Sequence, residues 1–186
     1  DSLSKRLVED LIEKHKNVIH LSEVATETMK VPEGSAFGGK RKRVGSAIGA
    51  KKLGYSFFSV PPGKAAFPFH LHNTNEEMIF ILEGKGTLRL GKEKFRVSSG
   101  TFIACPPGAE HPHQLINISN EELRYLVVST MEYPEIAEYP DSNKIGAYVT
   151  GASDGGFRAL YHKNANVPYF EDESGSEIER IKKATK

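Results

Sequence analysis

Residues 68–84 read PFHLHNTNEEMIFILEG, and this stretch decides how the chain can fold and what it can bind. His70 and His72 are two residues apart, so on a β-strand both imidazoles project from the same face. Glu77 follows the polar turn NTNE and opens an apolar run, MIFIL, that is typical of a strand. We therefore expect two imidazoles and one carboxylate to meet at a common point.

A second stretch, CPPGAEHPHQLIN over residues 105–117, offers a third imidazole. Two prolines and a glycine indicate a turn, and a new strand is expected to begin at His111. Three neutral imidazoles and one carboxylate suit several divalent ions, namely iron, manganese, nickel, copper and zinc. Four protein donors leave two positions of an octahedral ion open, as in catalytic metal sites. We predict one divalent metal ion on His70, His72, Glu77 and His111.

The chain from Leu53 to Met131 is rich in short β-type runs separated by Gly, Pro and Asn. These runs include YSFFSV, MIFIL, GTLRL, KFRV, TFIA and LRYLVVST. Many short strands at close spacing indicate an all-β barrel or sandwich. The link EGKG between MIFIL and TLRL predicts a tight hairpin turn, because glycine readily adopts the positive φ of such turns.

These stretches resemble the two sequence motifs of the cupin superfamily. The first motif is a glycine, H-x-H, three or four residues, Glu, six residues and Gly, and its matches are Gly63, His70, His72, Glu77 and Gly84. The second is a glycine before P-x-G, two residues and a histidine, and its matches are Gly100, Pro106, Gly108 and His111.

The chain departs from these motifs at two places. Six residues, where the motif has five, separate Gly63 from His70. Leu115 stands where the second motif has an asparagine four residues after His111, and Asn117 lies nearby. Neither departure touches an expected metal ligand.

The resemblance implies an all-β fold, a single cupin or double-stranded β-helix (jelly-roll) barrel with a short N-terminal helix and a C-terminal extension. We place a helix and arm that pack on the barrel or a partner at residues 1–43, the barrel at 44–131 and an extension covering it at 132–186. The helix is expected from apolar residues at three- and four-residue spacing, which are Leu3, Leu7, Val8, Leu11 and Ile12.

Two classes of function stay open at this point. The first is a metal-dependent enzyme acting on a small oxygen-bearing molecule, since proteins similar to this one include dioxygenases and sugar-phosphate isomerases. His113 would then be a candidate catalytic acid or base, because it shares a strand face with His111. The second is a non-catalytic protein that captures a sugar or organic acid through the metal.

Groups around the open metal positions would separate these classes. Strand parity predicts that the cavity is lined by Ile79, Ile81, His113, Leu115 and Tyr125. A charged group from the C-terminal third, such as Arg158 or His162, within contact distance of the open metal positions would count against the non-catalytic alternative. A dry apolar pocket would favour binding or oxygen chemistry.

The charge balance disfavours nucleic-acid and membrane partners. Lys and Arg total 25 and Asp and Glu total 24, so the net charge of +1 offers no global field for a polyanion. The basic run Lys40 to Arg43 is expected to be a solvated loop. No apolar run approaches the roughly 20 residues that cross a bilayer. The single Cys105 suits a reducing compartment, so we expect a cytoplasmic protein.

Strand alternation also predicts an apolar outer face. If the metal-binding residues point inward, their neighbours point outward, and these are Phe67, Phe69, Leu71, Met78, Phe80 and Leu82. Large contiguous apolar patches are uncommon on monomers. We therefore expect the terminal segments or a second subunit to cover this face, and a homodimer that binds a small-molecule ligand.

Overall fold

The computed structural model of the protein describes residues 15–149 and 156–185. The helix expected over Leu3 to Ile12 lies outside these residues. The described residues are mostly β-structure. The strands are β1 (Glu27–Thr28), β2 (Lys40–Arg43), β3 (Leu53–Val60), β4 (Leu71–His72), β5 (Glu77–Glu83), β6 (Lys85–Leu90), β7 (Glu93–Ser98), β8 (Phe102–Cys105), β9 (His113–Ile116), β10 (Leu123–Thr130), β11 (Glu135–Tyr139), β12 (Lys144–Tyr148) and β13 (Arg158–His162). The α-helices are α1 (Val44–Ala47) and α2 (Ser176–Ala184), and 3₁₀ turns lie at Leu21–Glu23 and Pro140–Ser142.

The strands form three antiparallel sheets. The largest has six strands in the order β1-β2-β3-β10-β5-β8. A four-stranded sheet has the order β13-β12-β11-β4, and a three-stranded sheet has the order β7-β6-β9. Isolated bridges, such as His70 with His113 and Ala65 with Ile116, connect residues near the edges of these sheets. The all-β architecture predicted from the short strand-forming runs is therefore present.

The core lies between the six-stranded sheet and the three-stranded sheet. Strand β5 alternates partly buried and buried positions over residues 78–82, and Ile81 of β5 and Leu123 of β10 are fully buried. Phe58 of β3 stacks on Tyr125 of β10 with ring centroids 5.3 Å apart. Burying one large aliphatic side chain such as Ile81 or Leu123 contributes about 1.5–3 kcal/mol to stability. This packed core gives the interior a rigid wall on which functional side chains can be held.

The link at Gly84 is not the hairpin turn expected from the sequence. β5 and β6 flank it but belong to different sheets, so the chain turns a corner between sheets. Gly84 has φ of 84°, and a Cβ at this position would lie 2.5 Å from the carbonyl oxygen of Glu122. Glycine is required at this corner because any side chain would collide with that backbone.

Both terminal segments contribute strands to these sheets. The basic run Lys40 to Arg43, expected to be a solvated loop, is strand β2 and pairs with β3. Strand β11, from the expected C-terminal extension, pairs with β4 and aligns Ala137 with His72. The expectation of a loop at the basic run is wrong because β2 gains a ladder of backbone hydrogen bonds to β3.

The apolar residues expected on the outer face have different environments. Phe69 and Leu71 are buried, and Phe80 stacks on the 69% exposed Phe102 at a centroid distance of 4.2 Å. Phe67 instead lines the interior cavity. The expected outward orientation of Phe67 is wrong, because the chain between β3 and β4 is not a regular strand with period-two alternation.

The described part of the C-terminal segment ends in helix α2. All of its residues are exposed. None of the helices in residues 15–149 and 156–185 combines the length and the apolar character that crossing a membrane requires.

Candidate metal centre

Four side chains converge in the interior, and they are His70, His72, Glu77 and His113. One donor atom from each lies within 4.8 Å of the donor atoms of the other three. Donors on opposite sides of a single ion are about 4.2 Å apart, since metal–nitrogen bonds are about 2.0–2.1 Å long. The cluster therefore has the size of a mononuclear metal centre.

The cluster forms where the three sheets meet. His72 lies on β4 of the four-stranded sheet, Glu77 begins β5 of the six-stranded sheet, and His113 begins β9 of the three-stranded sheet. His70 immediately precedes β4 and exchanges two backbone hydrogen bonds with His113, at N···O distances of 3.1 and 2.7 Å. Because backbone pairing holds these positions, the donors are preorganised rather than carried on a mobile loop.

Two of the imidazoles have their orientation set by nearby carbonyl groups. Nδ1 of His70 lies 2.9 Å from the carbonyl oxygen of Pro68. Nδ1 of His113 lies 3.1 Å from the carbonyl oxygen of His111. When each Nδ1–H donates to its carbonyl, the unprotonated Nε2 is the atom that can bind a metal.

The third imidazole differs from the one expected from the sequence. The geometry brings His113 into the cluster and leaves His111 in the preceding turn, where its N–H donates to the carbonyl of Gly108. β9 begins at His113 and not at His111, because the backbone bridge to His70 forms there. His113, expected as a candidate acid or base, is thus engaged as a possible metal donor.

A signal for His113 was present in the sequence. The second motif has an asparagine four residues after its histidine. Counted from His111 this position is Leu115, but counted from His113 it is Asn117. Asn117 is fully buried, and its amide donates to the carbonyls of Val60 and Glu121 at 2.8 and 2.7 Å. The asparagine thus closes the turn that follows β9, and its position identifies the histidine before it.

His72 supplies an observation in favour of a bound ion. Both of its ring nitrogens are buried and have no hydrogen-bond partner among the described residues. Nε2 lies 3.5 Å from Oε2 of Glu77, and Nδ1 lies 3.5 Å from Oε1 of Glu135. Buried polar atoms without partners are costly, and a metal ion would supply the partner that Nε2 lacks. The residues present therefore fit a metal ion.

The protonation of the cluster also fits a metal site. Burial alone would raise the pKa of Glu77, but the hydrogen bond to His113 and the nearby His72 imidazole lower this pKa well below its ordinary value. Burial and the nearby His113 lower the pKa of His70 to about 4. The carboxylate is therefore ionised and the His70 imidazole is neutral at neutral pH, which are the forms that coordinate metals.

The electrostatic surroundings of His113 raise its pKa and so favour its protonated form before an ion binds. Burial disfavours its charged form, but Cys105 and the Glu77 carboxylate together raise the pKa of His113 to about 10. Nε2 of His113 lies 3.2 Å from Oε2 of Glu77. An incoming cation must therefore displace this proton.

The cluster lies in the wall of a cavity of about 460 Å³, a size suited to a small molecule. Ile79, His113, Leu115 and Tyr125 line it as expected, whereas Ile81 lies in the packed core. Arg158 lines the cavity, and His162 is not among its lining residues. Tyr139 and Tyr148 also line it, with their hydroxyl oxygens 3.1 Å apart. The cavity is therefore partly polar and carries positive charge.

Glu135 is a site residue that sequence reasoning missed. It is 4% exposed, and its carboxylate accepts hydrogen bonds from the backbone N–H groups of Asn73 and Asn75 at 3.0 and 2.9 Å. These residues belong to the turn that joins β4 to β5, and thus His72 to Glu77. No local pattern identifies Glu135, because it acts on residues about sixty positions earlier in the chain.

Comparison with known proteins identifies the fold family. Residues 56–129 match the family model described as a cupin domain. The uncharacterised protein MJ1618 of Methanocaldococcus jannaschii is 42% identical over 74 residues, which cover 40% of this chain and 57% of that protein. The match thus spans little more than half the length of that relative.

Two solved structures have a similar fold. A protein of Acidithiobacillus ferrooxidans, provisionally named a sugar phosphate isomerase, has a TM-score of 0.71 at 24% identity, covering 82% of this chain and 96% of its own. A sugar phosphate isomerase of the cupin superfamily from Silicibacter pomeroyi has a TM-score of 0.70 at 23% identity, covering 83% and 98%. The predicted jelly-roll fold is thus confirmed, and residues 56–129 of this fold match the cupin domain.

Proposed function

We propose that the protein is a metal-dependent enzyme that isomerises a small, oxygen-bearing substrate of the sugar-phosphate type. The observation that carries this proposal is the chemical character of the cavity beside the metal cluster. Its lining includes a guanidinium from the C-terminal third, Arg158, and the paired hydroxyls of Tyr139 and Tyr148. Polar groups of this kind hold and orient a hydroxylated, charged substrate.

The metal would be held by His70, His72, Glu77 and His113. When bound, a divalent ion supplies Lewis-acid polarisation of a substrate carbonyl or hydroxyl oxygen. Aldose–ketose isomerisation moves hydrogen between adjacent carbon atoms and needs no oxidant or reductant. The chain therefore has to bind the substrate, exclude water and place hydrogen-bonding groups beside the reacting oxygens.

Tyr139 is suited to the last of these tasks. Its ring stacks on His70 at a centroid distance of 6.2 Å, so its hydroxyl belongs to the surroundings of the cluster. Burial, together with the neighbouring Tyr148 hydroxyl, raises the pKa of Tyr139. The phenol therefore stays protonated at neutral pH and can donate a hydrogen bond to a substrate oxygen.

The names of the two structural neighbours support the same class of substrate, since both carry the description of sugar phosphate isomerase. Dioxygenase chemistry is the other enzymatic possibility for a cupin metal centre of this composition. It is less well supported by a cavity that carries arginine and tyrosine side chains than it would be by a dry apolar pocket.

One observation favours a non-catalytic alternative, in which the metal captures a sugar or organic acid without turnover. Both carboxylates among the described lining residues are already engaged, Glu77 with the histidines and Glu135 with the β4–β5 turn. A free carboxylate that could act as the general base is therefore not identified among residues 15–149 and 156–185.

The test begins with metal analysis of protein purified without an affinity tag. Samples reconstituted with iron, manganese, nickel, copper or zinc are then incubated with mixed aldose and ketose phosphates in D₂O, and proton NMR follows isomerisation and deuterium exchange. An oxygen electrode runs in parallel. Metal-dependent isomerisation that is lost in His72→Ala supports the proposal. Oxygen consumption coupled to product formation would overturn it in favour of a dioxygenase, and saturable binding without turnover would favour the binding protein.

A further inference from the structure

Strand β2 directs two arginines into the cavity. Arg41 and Arg43 are two residues apart and pair with Phe58 and Ser56 of β3, respectively. All four of these residues line the cavity. Directly paired residues of an antiparallel ladder project from the same face of a sheet, and alternate residues of a strand share that face. Within the run KRKR, the two arginines therefore lie on the face of β2 that lines the cavity.

The lysines of the same run have other environments. Lys42 donates from Nζ to the carbonyl oxygen of Leu21 at 2.8 Å, and Lys40 is exposed. Neither lysine lines the cavity. The two residue types thus differ in position, and only the arginines are placed to contact a ligand in the cavity.

Arg41 has hydrogen-bonding capacity that the described residues do not use. Its Nε is buried and has no hydrogen-bond partner among them. Its Nη2 donates to Oε2 of Glu27 at 2.9 Å, and Nε of Arg43 donates to the same oxygen at 3.1 Å. One carboxylate thus faces two guanidiniums. A buried N–H without an acceptor is costly, and an anion in the cavity would remove that cost.

Arg158 brings a third guanidinium from a different sheet. It begins β13, in the four-stranded sheet, whereas Arg41 and Arg43 belong to the six-stranded sheet. Its Cζ lies 4.8 Å from the ring centroid of Tyr148, which supports the side chain by a cation–π contact. Guanidiniums from two different sheets therefore line the same cavity.

The charges around the cavity are unbalanced once an ion is bound. The three guanidiniums are matched by three carboxylates, those of Glu27, Glu77 and Glu135. A divalent ion on the cluster then leaves a double positive charge without compensation. Such a site attracts a dianion more strongly than a neutral molecule, because its net positive charge favours an anionic ligand.

The arginines and the metal cluster are far enough apart to bind two ends of one ligand. Arg43 is aligned with Ser56, Val127 and Ile79 across the sheet, and Ile79 lies two residues from Glu77 on β5. Three strand spacings separate the first and last of these positions, which is about 14 Å along the sheet. A ligand that contacts both sites therefore needs a metal-binding oxygen group at one end and an anion at the other.

We infer that Arg41, Arg43 and Arg158 form a guanidinium clamp that binds the anionic group of the substrate, a phosphate or a carboxylate. The inference rests on the proposed function, because it names the substrate class of the same cavity. Guanidinium suits both anions, since its planar N–H groups match their oxygen atoms in pairs.

The test measures anion binding directly, so it does not depend on turnover. Inorganic phosphate and succinate are titrated by isothermal calorimetry into the full chain loaded with Mn²⁺, with glycerol as the neutral probe. The variants are Arg41→Gln, Arg43→Gln and Arg158→Gln. Lys40→Gln is the matched control, because it removes the same charge from β2 outside the cavity. Metal content is measured for every sample, and circular dichroism checks the fold.

We expect at least tenfold weaker phosphate or succinate binding in the arginine variants, with metal content unchanged and Lys40→Gln like the native chain. If phosphate binding is the binding that the arginine variants weaken, the substrate group is a phosphate; if it is succinate binding, the substrate group is a carboxylate. Anion binding that is unaffected by all three variants, or that is abolished only by removing Mn²⁺, would overturn the clamp. A chain that retains the clamp but isomerises nothing would instead count against the proposed function alone.

Discussion

Oε1 of Glu135 lies 3.5 Å from Nδ1 of His72, while Nε2 of the same imidazole lies 3.5 Å from Glu77. The Glu135 carboxylate also accepts hydrogen bonds from the turn that carries the chain from His72 to Glu77. The buried Glu135 side chain thus faces the His72 ring and also holds the turn between β4 and β5 by hydrogen bonds. Carboxylates in this position orient metal-binding histidines and strengthen them as ligands.

We predict that Glu135→Gln weakens metal affinity by about 10- to 100-fold. The amide has one acceptor oxygen, so it can replace either Oε1, which faces His72 and Asn73, or Oε2, which accepts from Asn75, but not both. Metal titration against a competing chelator measures the affinity. Thermal unfolding of the metal-free protein shows whether the fold is retained. Glu138→Gln, a substitution of the same type on the same strand, is the control. Unchanged affinity in Glu135→Gln would remove the positioning role.

The two histidines of residues 111–113 give a direct test of the metal ligands. We expect His113→Ala to lose most bound metal, as His72→Ala should, because each removes one donor of the cluster. His111→Ala should keep its metal, since His111 is not one of the four clustered donors and its backbone carbonyl, which lies near Nδ1 of His113, is retained in the variant. Elemental analysis of the purified variants gives the metal equivalents. Metal loss in His111→Ala with retention in His113→Ala would reverse the assignment.

Metal affinity should rise with pH. The pKa of His113 is raised to about 10 and that of His72 is also raised, so both imidazoles tend to hold protons that a metal must displace. His70, with a pKa of about 4, is already neutral and adds no pH dependence above about pH 5. We expect roughly tenfold or greater gain in apparent affinity per pH unit between about pH 6 and 8. Calorimetry in buffers of different ionisation enthalpy counts the released protons, and a flat profile would contradict the expectation.

Gly84 provides a test of the corner between sheets. Gly84→Ala should lower the free energy of unfolding by about 1–3 kcal/mol for two reasons. The Cβ of alanine would collide with the Glu122 carbonyl, and alanine would have to adopt the positive φ of this position. Gly100→Ala is the matched control, since φ is 88° but the space around its Cβ position is open. Urea unfolding measures both. Equal losses would mean that φ alone, and not the collision, makes glycine necessary.

The exposed Phe102 lies on β8, which is an edge strand of the six-stranded sheet. We expect the protein to dimerise through this edge, because unpaired edge strands with apolar side chains favour association. Light scattering after size-exclusion chromatography should give a dimer for the native chain and a monomer for Phe102→Lys. Phe95→Lys, on β7 of another sheet, should remain dimeric. A native chain that is monomeric at tens of micromolar would exclude this interface.

Much of the site could be predicted from sequence because its spacing is local. His70 and His72 share a face by strand alternation, and Glu77 follows after a short polar turn. The third imidazole depended on where β9 begins, which the bridge between His70 and His113 decides. The leucine at position 115, where the motif has asparagine, therefore indicated His113 rather than His111, since Asn117 has the expected spacing from His113.

What the sequence determined by itself was the all-β class, the metal-binding residue types and the inward pairing of His70 with His72, because period-two alternation is a property of a single strand. The tertiary structure decided which distant strands face one another. Only this pairing brings Glu135 to His72 and places Arg41 and Arg43 in the cavity with Arg158. It also makes Gly84 a corner instead of a hairpin, since contacts between strands far apart in sequence leave no local pattern.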